Sequence, residues 1–181
     1  IPVIPVVSIR DDDGDVFVEK MKAGEVCVAE FTTIVDTSWR KIPLLIADLK
    51  APVDTDQFCM FTGHVDSWYY GAIDNGTANA AQMEVARLVS AHQKELKRNF
   101  RIVHYSGHSH GRYAGSAWYA DNFWEELHKS CVVNVNADSL GGKDAMDVQH
   151  STIMPETMGL AVEVVRHQTG EQFEGLRAAR N

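Results

Sequence analysis

At 181 residues the chain is long enough for one well-buried core, and 45% hydrophobic with 23% charged residues is the balance of an ordinary globular domain. A formal net charge of −8 argues against general nucleic-acid binding, which needs a basic face. No run approaches the roughly 18 apolar residues that a membrane span requires.

Residues 1–9 are apolar but broken by Pro2 and Pro5, with neither a basic leader nor a small-residue cleavage site, so they do not read as a signal peptide. Within them, residues 3–9 are β-branched and predict a buried strand. The cluster Asp11-Asp12-Asp13-Gly14-Asp15 lacks the later glutamate of a calcium loop, and Gly14 punctuates it as a turn. Residues 16–23 predict a short helix closed by Gly24. The β-rich runs 26–33 and 42–49 flank a polar stretch at 36–41, the pattern of an antiparallel pair. Residues 57–62, with Phe58, Met60 and Phe61, predict a buried strand that delivers the chain to Gly63-His64-Val65-Asp66.

A long helix is predicted from residues 75–77 to about Arg98. Val85, Leu88, Val89 and Leu96 recur at helical spacing, and Lys94, Lys97 and Arg98 gather where they would complement the helix dipole. Residues 101–105 predict the next strand. A helix from Ser116 carries Trp118, Tyr119, Phe123, Trp124 and Leu127, an aromatic stripe expected to pack in the core. Residues 131–135 form a further strand ending at Asn136-Ala137-Asp138. Pro155 opens a last helix with Met158, Ala161, Val162 and Val165 on its apolar face. This alternation predicts an α/β fold, with a mainly parallel central sheet, helices on both faces and short antiparallel additions near the N-terminus. Cys27, Cys59 and Cys131 are odd in number and sit in apolar runs, which suits free thiols and leans towards a reducing, cytoplasmic compartment. The opening Ile-Pro-Val-Ile-Pro-Val-Val and the closing Arg180-Asn181 are unlike natural termini, as expected of an excised fragment.

Ligands of open α/β sheets bind beyond the carboxyl ends of the strands. Three polar clusters fall at such ends: His64/Asp66, His108/Ser109/His110 and Asn136/Asp138, with Asp74 in the loop before the long helix. Imidazole and carboxylate together suit zinc and similar divalent metals. In an extended strand, residues two apart point to one side, so Asp66 is expected to accept a hydrogen bond from the His64 ring nitrogen that faces away from the metal. Asp74 would supply a carboxylate able to bridge two cations. Taken alone, Asp74-Asn75-Gly76 reads as a turn and helix cap. The loop Trp68-Tyr69-Tyr70 reads either as a substrate-pocket wall or as a core plug.

The segments Gly63-His64-Val65-Asp66-Ser67 and Gly71-Ala72-Ile73-Asp74-Asn75-Gly76-Thr77-Ala78 resemble the co-catalytic zinc aminopeptidases, a family that includes glutamate carboxypeptidases and the transferrin receptor. Gly111-Arg112-Tyr113-Ala114-Gly115-Ser116-Ala117-Trp118-Tyr119 is similar to that family's loop and helix start after its paired glutamates. Val133-Asn134-Val135-Asn136-Ala137-Asp138 is similar to the strand carrying another metal-binding aspartate. Residues 4–24 resemble the tail of a protease-associated domain, and residues 41–47 the strand by which the chain returns to the catalytic sheet. The resemblance thus implies such a tail over residues 1–25 and part of a zinc peptidase domain over 26–181.

It further implies His64 and Asp138 as terminal metal ligands, Asp74 as the bridge ahead of a cis peptide to Asn75, and Asp66 as the residue orienting His64. Two zinc ions are implied for the complete protein, with a peptide or small amide as substrate, while charge and the short apolar runs predict no nucleic-acid or membrane partner. The implied activity is hydrolysis of N-terminal peptide bonds by a metal-activated water. Two departures stand against the family pattern. Counting back from Gly115-Ser116, the paired glutamates fall on Ser109 and His110. His110 can still ligate, with His108 as a competing candidate, but a neutral serine hydroxyl has no useful proton affinity near pH 7 and cannot act as the general base. The family's final histidine ligand also has no counterpart, since His150 and His167 lack its sequence context and read as surface residues. A non-catalytic receptor-like module of the same fold, or a single-zinc transferase related to glutaminyl cyclases, are the alternatives.

Overall fold

The computed structural model describes residues 4–36, 38–141 and 155–170. The chain divides into two compact units, Ile1–Lys41 and Ile42–Asn181.

Among its described residues the first unit contains one helix, α1 (Asp11–Lys22), closed at Ala23 ahead of Gly24, whose φ is +79°. The acidic cluster expected as a turn is instead the first turn of this helix. Asp11, Asp12 and Asp13 there face the positive end of the helix dipole, and Arg10 pairs with Asp13 at 3.1 Å. Neither residues 4–9 nor residues 26–33 form a strand. Their apolar side chains are largely exposed, Val26 and Val28 among them. β-propensity expresses itself only where a neighbouring strand accepts the backbone ladder, and among the described residues this unit holds none.

Among its described residues the second unit is built on a four-stranded sheet in the order β1-β3-β2-β4, with β1 (Leu45–Leu49), β2 (Phe58–His64), β3 (Asn99–Tyr105) and β4 (Cys131–Asn136). β2 runs parallel to both β3 and β4, and β1 is the antiparallel edge on β3, not a partner of residues 26–33. Between β2 and β3 lies α2 (Ala78–Ala91). It ends well before Arg98, followed by a single 3-10 turn at Gln93–Glu95, so Lys94, Lys97 and Arg98 sit beyond the helix, not in its last turn. Leu96 is already extended, as the chain must be to enter β3 at Asn99. Asn99 anchors that entry by accepting from the Ala51 amide and donating to the Thr55 carbonyl, each at 2.9 Å.

Between β3 and β4 lie α3 (Ala114–Asn122) and α4 (Trp124–Ser130). The start of α3 packs onto Ser106 at Gly115, where a Cβ would lie 2.2 Å from the Ser106 carbonyl oxygen. Helix α5 (Pro155–Thr169) begins at Pro155 as its sequence predicts. The aromatic stripe divides: Tyr119 is buried and Phe123 half-buried, whereas Trp118 and Trp124 face solvent.

Side-chain parity shows that helices cover both faces. Arg101 bonds to Tyr119 of α3 and Glu126 of α4, while His104 bonds to Asn79 of α2 at 3.0 Å. Three residues apart on one strand, these side chains point to opposite sides of the sheet. The α3/α4 side buries Phe58, Met60, Val103 and Tyr119 as the core cluster. Arg101 lies in the same layer with all five guanidinium donors engaged: two on Asp48, two on Glu126 and one on the Tyr119 hydroxyl, at 2.7 to 3.1 Å. Its guanidinium also lies 4.5 Å over the Phe58 ring.

Removing this cation would leave two carboxylates facing each other across the start of β3. Because both are partly exposed, Arg101→Met is expected to lower stability by about 1–3 kcal/mol, less than for a fully buried pair. Urea unfolding of the two proteins measures the difference.

Candidate metal centre

β2 and β4 end side by side, and their carboxyl ends carry His64 and the loop to Asp138. Gly63 lets these segments close up, because a Cβ there would lie 2.8 Å from the Ala137 carbonyl oxygen and 2.9 Å from Gln82 Oε1. β2 and β4 are also joined by the Thr62 hydroxyl, 3.1 Å from the side-chain oxygens of both Asn134 and Asn136. Such a crevice beyond adjacent parallel strand ends is where open α/β sheets hold ligands.

The Asp74–Asn75 peptide is cis, as the resemblance implies. It lies in an irregular turn, Ala72–Thr77, in which Asp74 and Asn75 both leave helical geometry. Asn75 is 1% exposed. Its amide nitrogen donates to the His64 carbonyl at 3.2 Å and the Ala137 carbonyl at 3.1 Å, and its oxygen accepts from the Ser139 amide at 3.1 Å. One side chain thus fastens the Asp74 turn to the ends of both strands. From the sequence alone, Asn75 reads only as part of a turn and cap. The one signal for more is a polar residue directly beside the expected bridging aspartate.

His64 is 3% exposed. Its Nδ1 donates to the Asp66 main-chain carbonyl at 2.7 Å, which leaves the lone pair of a neutral ring on Nε2. That Nε2 lies 2.9 Å from Asp74 Oδ1 and 3.4 Å from Asp138 Oδ1. Both Nε2 and Asp74 Oδ1 are buried and lack a hydrogen-bond partner, although the rest of the Asp74 side chain is half exposed. Acceptor atoms packed this way repel one another and call for a cation between them. The donor set therefore fits a divalent metal ion.

Asp66 behaves differently from its sequence expectation. Its carboxylate is 3.7 Å from His64 Nδ1, so the contact that orients the ring comes from its carbonyl. The carboxylate instead accepts from the amides of His108 at 3.0 Å and Ser109 at 2.7 Å. Burial works to raise its pKa, but these amide hydrogen bonds outweigh it and hold the carboxyl below its ordinary value. Asp66 thereby ties the loop after β3 to the end of β2.

That loop brings His108, not His110, towards the centre. The ligand atoms of His64, His108 and Asp138 all lie within 4.8 Å of one another. His110 is exposed, with Nε2 on the Ser67 carbonyl at 2.8 Å and its ring 4.3 Å from Trp68. Trp68, Tyr69 and Tyr70 are exposed, which removes the core-plug reading of that loop. His167 is exposed on α5, and His150 lies outside the described residues.

The family described as Peptidase family M28 matches residues 45–176. A probable glutamate carboxypeptidase of Zea mays is 26% identical over 114 residues, which cover 61% of this chain and 16% of that protein. Among solved structures, a glutaminyl cyclase of an Acidobacteriales bacterium superposes with a TM-score of 0.60 at 18% identity, covering 76% of this chain and 52% of the other. The LapA aminopeptidase of Legionella pneumophila superposes with a TM-score of 0.57 at 20% identity, covering 76% and 39%. These likenesses show the fold, and the chain spans only a minor part of the maize relative's length.

Asn75→Ala removes three buried hydrogen bonds at once and is expected to cost about 2–4 kcal/mol. Denaturant unfolding in the presence of a chelator isolates this loss from any contribution of bound metal. Asn75→Asp, which sets carboxylate oxygen against two carbonyls, is expected to cost at least as much.

Proposed function

The chain belongs to peptidase family M28, and from that premise we propose that it forms part of a zinc-dependent exopeptidase hydrolysing N-terminal peptide bonds of peptides or small amides. One observation carries this reading: the buried, unpartnered His64 Nε2 and Asp74 Oδ1, 2.9 Å apart and flanked by Asp138. His64, Asp74 and Asp138 are the proposed ligands, and Asp66 is the positioning residue that fixes the His64 ring. A bound zinc ion would polarise the scissile carbonyl and lower the pKa of a water molecule at the same place.

The chain's own residues supply the orientation. The Asp66 carbonyl selects the His64 tautomer, and Asn75 sets where Asp74 stands relative to it. The exposed aromatic loop Trp68-Tyr69-Tyr70 adjoins the same strand end and is proposed to wall the substrate side. Beyond the group of His64, His108 and Asp138, the described residues gather no further cluster of three or more His, Cys, Asp and Glu side chains able to hold an ion. The second zinc expected of the complete protein would need donors outside them.

Ser109 favours a second reading, a binding module of the same fold without turnover. It occupies the general-base position with a hydroxyl, and its amide is already held by Asp66 at 2.7 Å. The test is hydrolysis of an amino-acid arylamide by the complete, zinc-loaded protein. Turnover that is lost on chelation and in His64→Ala supports the peptidase. Cyclisation of an N-terminal glutamine by a protein holding one zinc would favour a cyclase-like transferase. No reaction by the metal-loaded protein would leave the binding module. If turnover is limited by the missing base, Ser109→Glu is expected to raise kcat by about 10²–10⁴-fold, the usual contribution of general-base catalysis, with KM little changed.

A further inference from the structure

Resting on the metal-site reading above, we propose that His108 is a ligand of the same ion as His64 and Asp138, and that His110 is not. That cation would then lie between two imidazoles and the Asp138 carboxylate.

His108 is delivered by the loop after β3, just past Gly107, whose φ is +72°. Its amide donates to the Asp66 carboxylate at 3.0 Å, so the residue whose carbonyl orients His64 also fixes the backbone of His108. The two rings stack within 8° of parallel at a centroid distance of 3.9 Å, and the Tyr113 ring meets His108 edge-on at 4.7 Å. The stack sets the two imidazoles side by side, and because an imidazole binds a metal in its own ring plane, the His108 ring must turn out of the stack for both to meet one ion.

His108 Nε2 lies 3.9 Å from Asp138 Oδ2. That is too long for a hydrogen bond, but it suits two atoms with a third between them. In a tetrahedral zinc site with bonds of about 2.0–2.2 Å, neighbouring donors stand roughly 3.3–3.6 Å apart. The His64–Asp138 separation of 3.4 Å falls within that spacing, and the His108–Asp138 separation of 3.9 Å lies slightly beyond it. His110 has neither feature, since its Nε2 is taken up by the Ser67 carbonyl and its ring by Trp68.

The choice of donor has a chemical consequence. An imidazole at this place makes the site less anionic than a further carboxylate would. Two imidazoles favour zinc, cobalt, nickel or copper over magnesium and calcium.

Cobalt(II) titration followed by visible absorption, with zinc calorimetry alongside, tests this without recourse to activity. The wild-type chain is expected to bind one equivalent of cobalt with the intense bands of a four-coordinate ion. His108→Ala and the milder His108→Gln are expected to weaken zinc binding by more than the roughly 10–100-fold typical of losing an outer hydrogen-bond partner, and to change the spectrum. His110→Ala is expected to leave both unchanged. Free imidazole should restore the cobalt bands in His108→Gly, a rescue that a folding defect would not permit. Metal binding that is lost in His64→Ala but unaltered in both His108→Ala and His108→Gln would overturn the assignment while leaving the metal centre intact. Absence of binding by the wild-type chain would overturn both.

Discussion

The candidate site depends first on the buried amide of Asn75. With two donors and one acceptor engaged, it joins the Asp74 turn to the His64 carbonyl at the end of β2 and to the Ala137 and Ser139 backbone beyond β4. The last of these segments lies more than sixty positions along the chain from the other two, and each carries one of the charged or lone-pair groups of the site. Without this clip the groups would move apart, because the described contacts among them are mutually unfavourable. His64 Nε2 and the oxygens of Asp74 and Asp138 offer one another only acceptors.

This opposition explains how fold and ligand are coupled. Desolvating carboxylates beside an imidazole lone pair costs free energy that packing elsewhere must offset. The core cluster of Phe58, Met60, Val103 and Tyr119 and the five-donor hub at Arg101 provide that support from the sheet. An ion that binds the folded chain and not the unfolded one repays the same cost in proportion to its affinity. Asp66 belongs to this arrangement through its main chain as much as its side chain, because its carbonyl fixes one imidazole and its carboxylate anchors the loop that brings the second.

Much of the architecture was legible in the sequence. The strands at β2, β3 and β4 follow from short apolar runs, and the candidate ligands from their position just past strand ends. The cis peptide at Asp74 came with the family resemblance. What escaped was long-range. Residues 26–33 have strand composition but no partner, and composition cannot say whether a partner exists. The acidic cluster at Asp11 reads as a turn because Gly14 punctuates it, a local signal that leaves out the helix dipole its carboxylates complement. Arg101 and Asn75 read as ordinary polar residues, since their importance lies in partners 11 to 64 positions away. Asp66 was expected to act through its carboxylate, and only the geometry of the strand end shows that its carbonyl reaches the ring first.

The guanidinium of Arg101 sits near the amino ends of the parallel strands, whereas His64 and Asp138 occupy the opposite rim. This polarity divides labour along the strand axis. The entry end is held by the ion pairs of Arg101, while the exit end hangs its functional groups on loops. Loop substitutions at that rim can therefore alter which ion or molecule is held without reworking the scaffold, a separation that makes such a sheet readily adaptable to new chemistry.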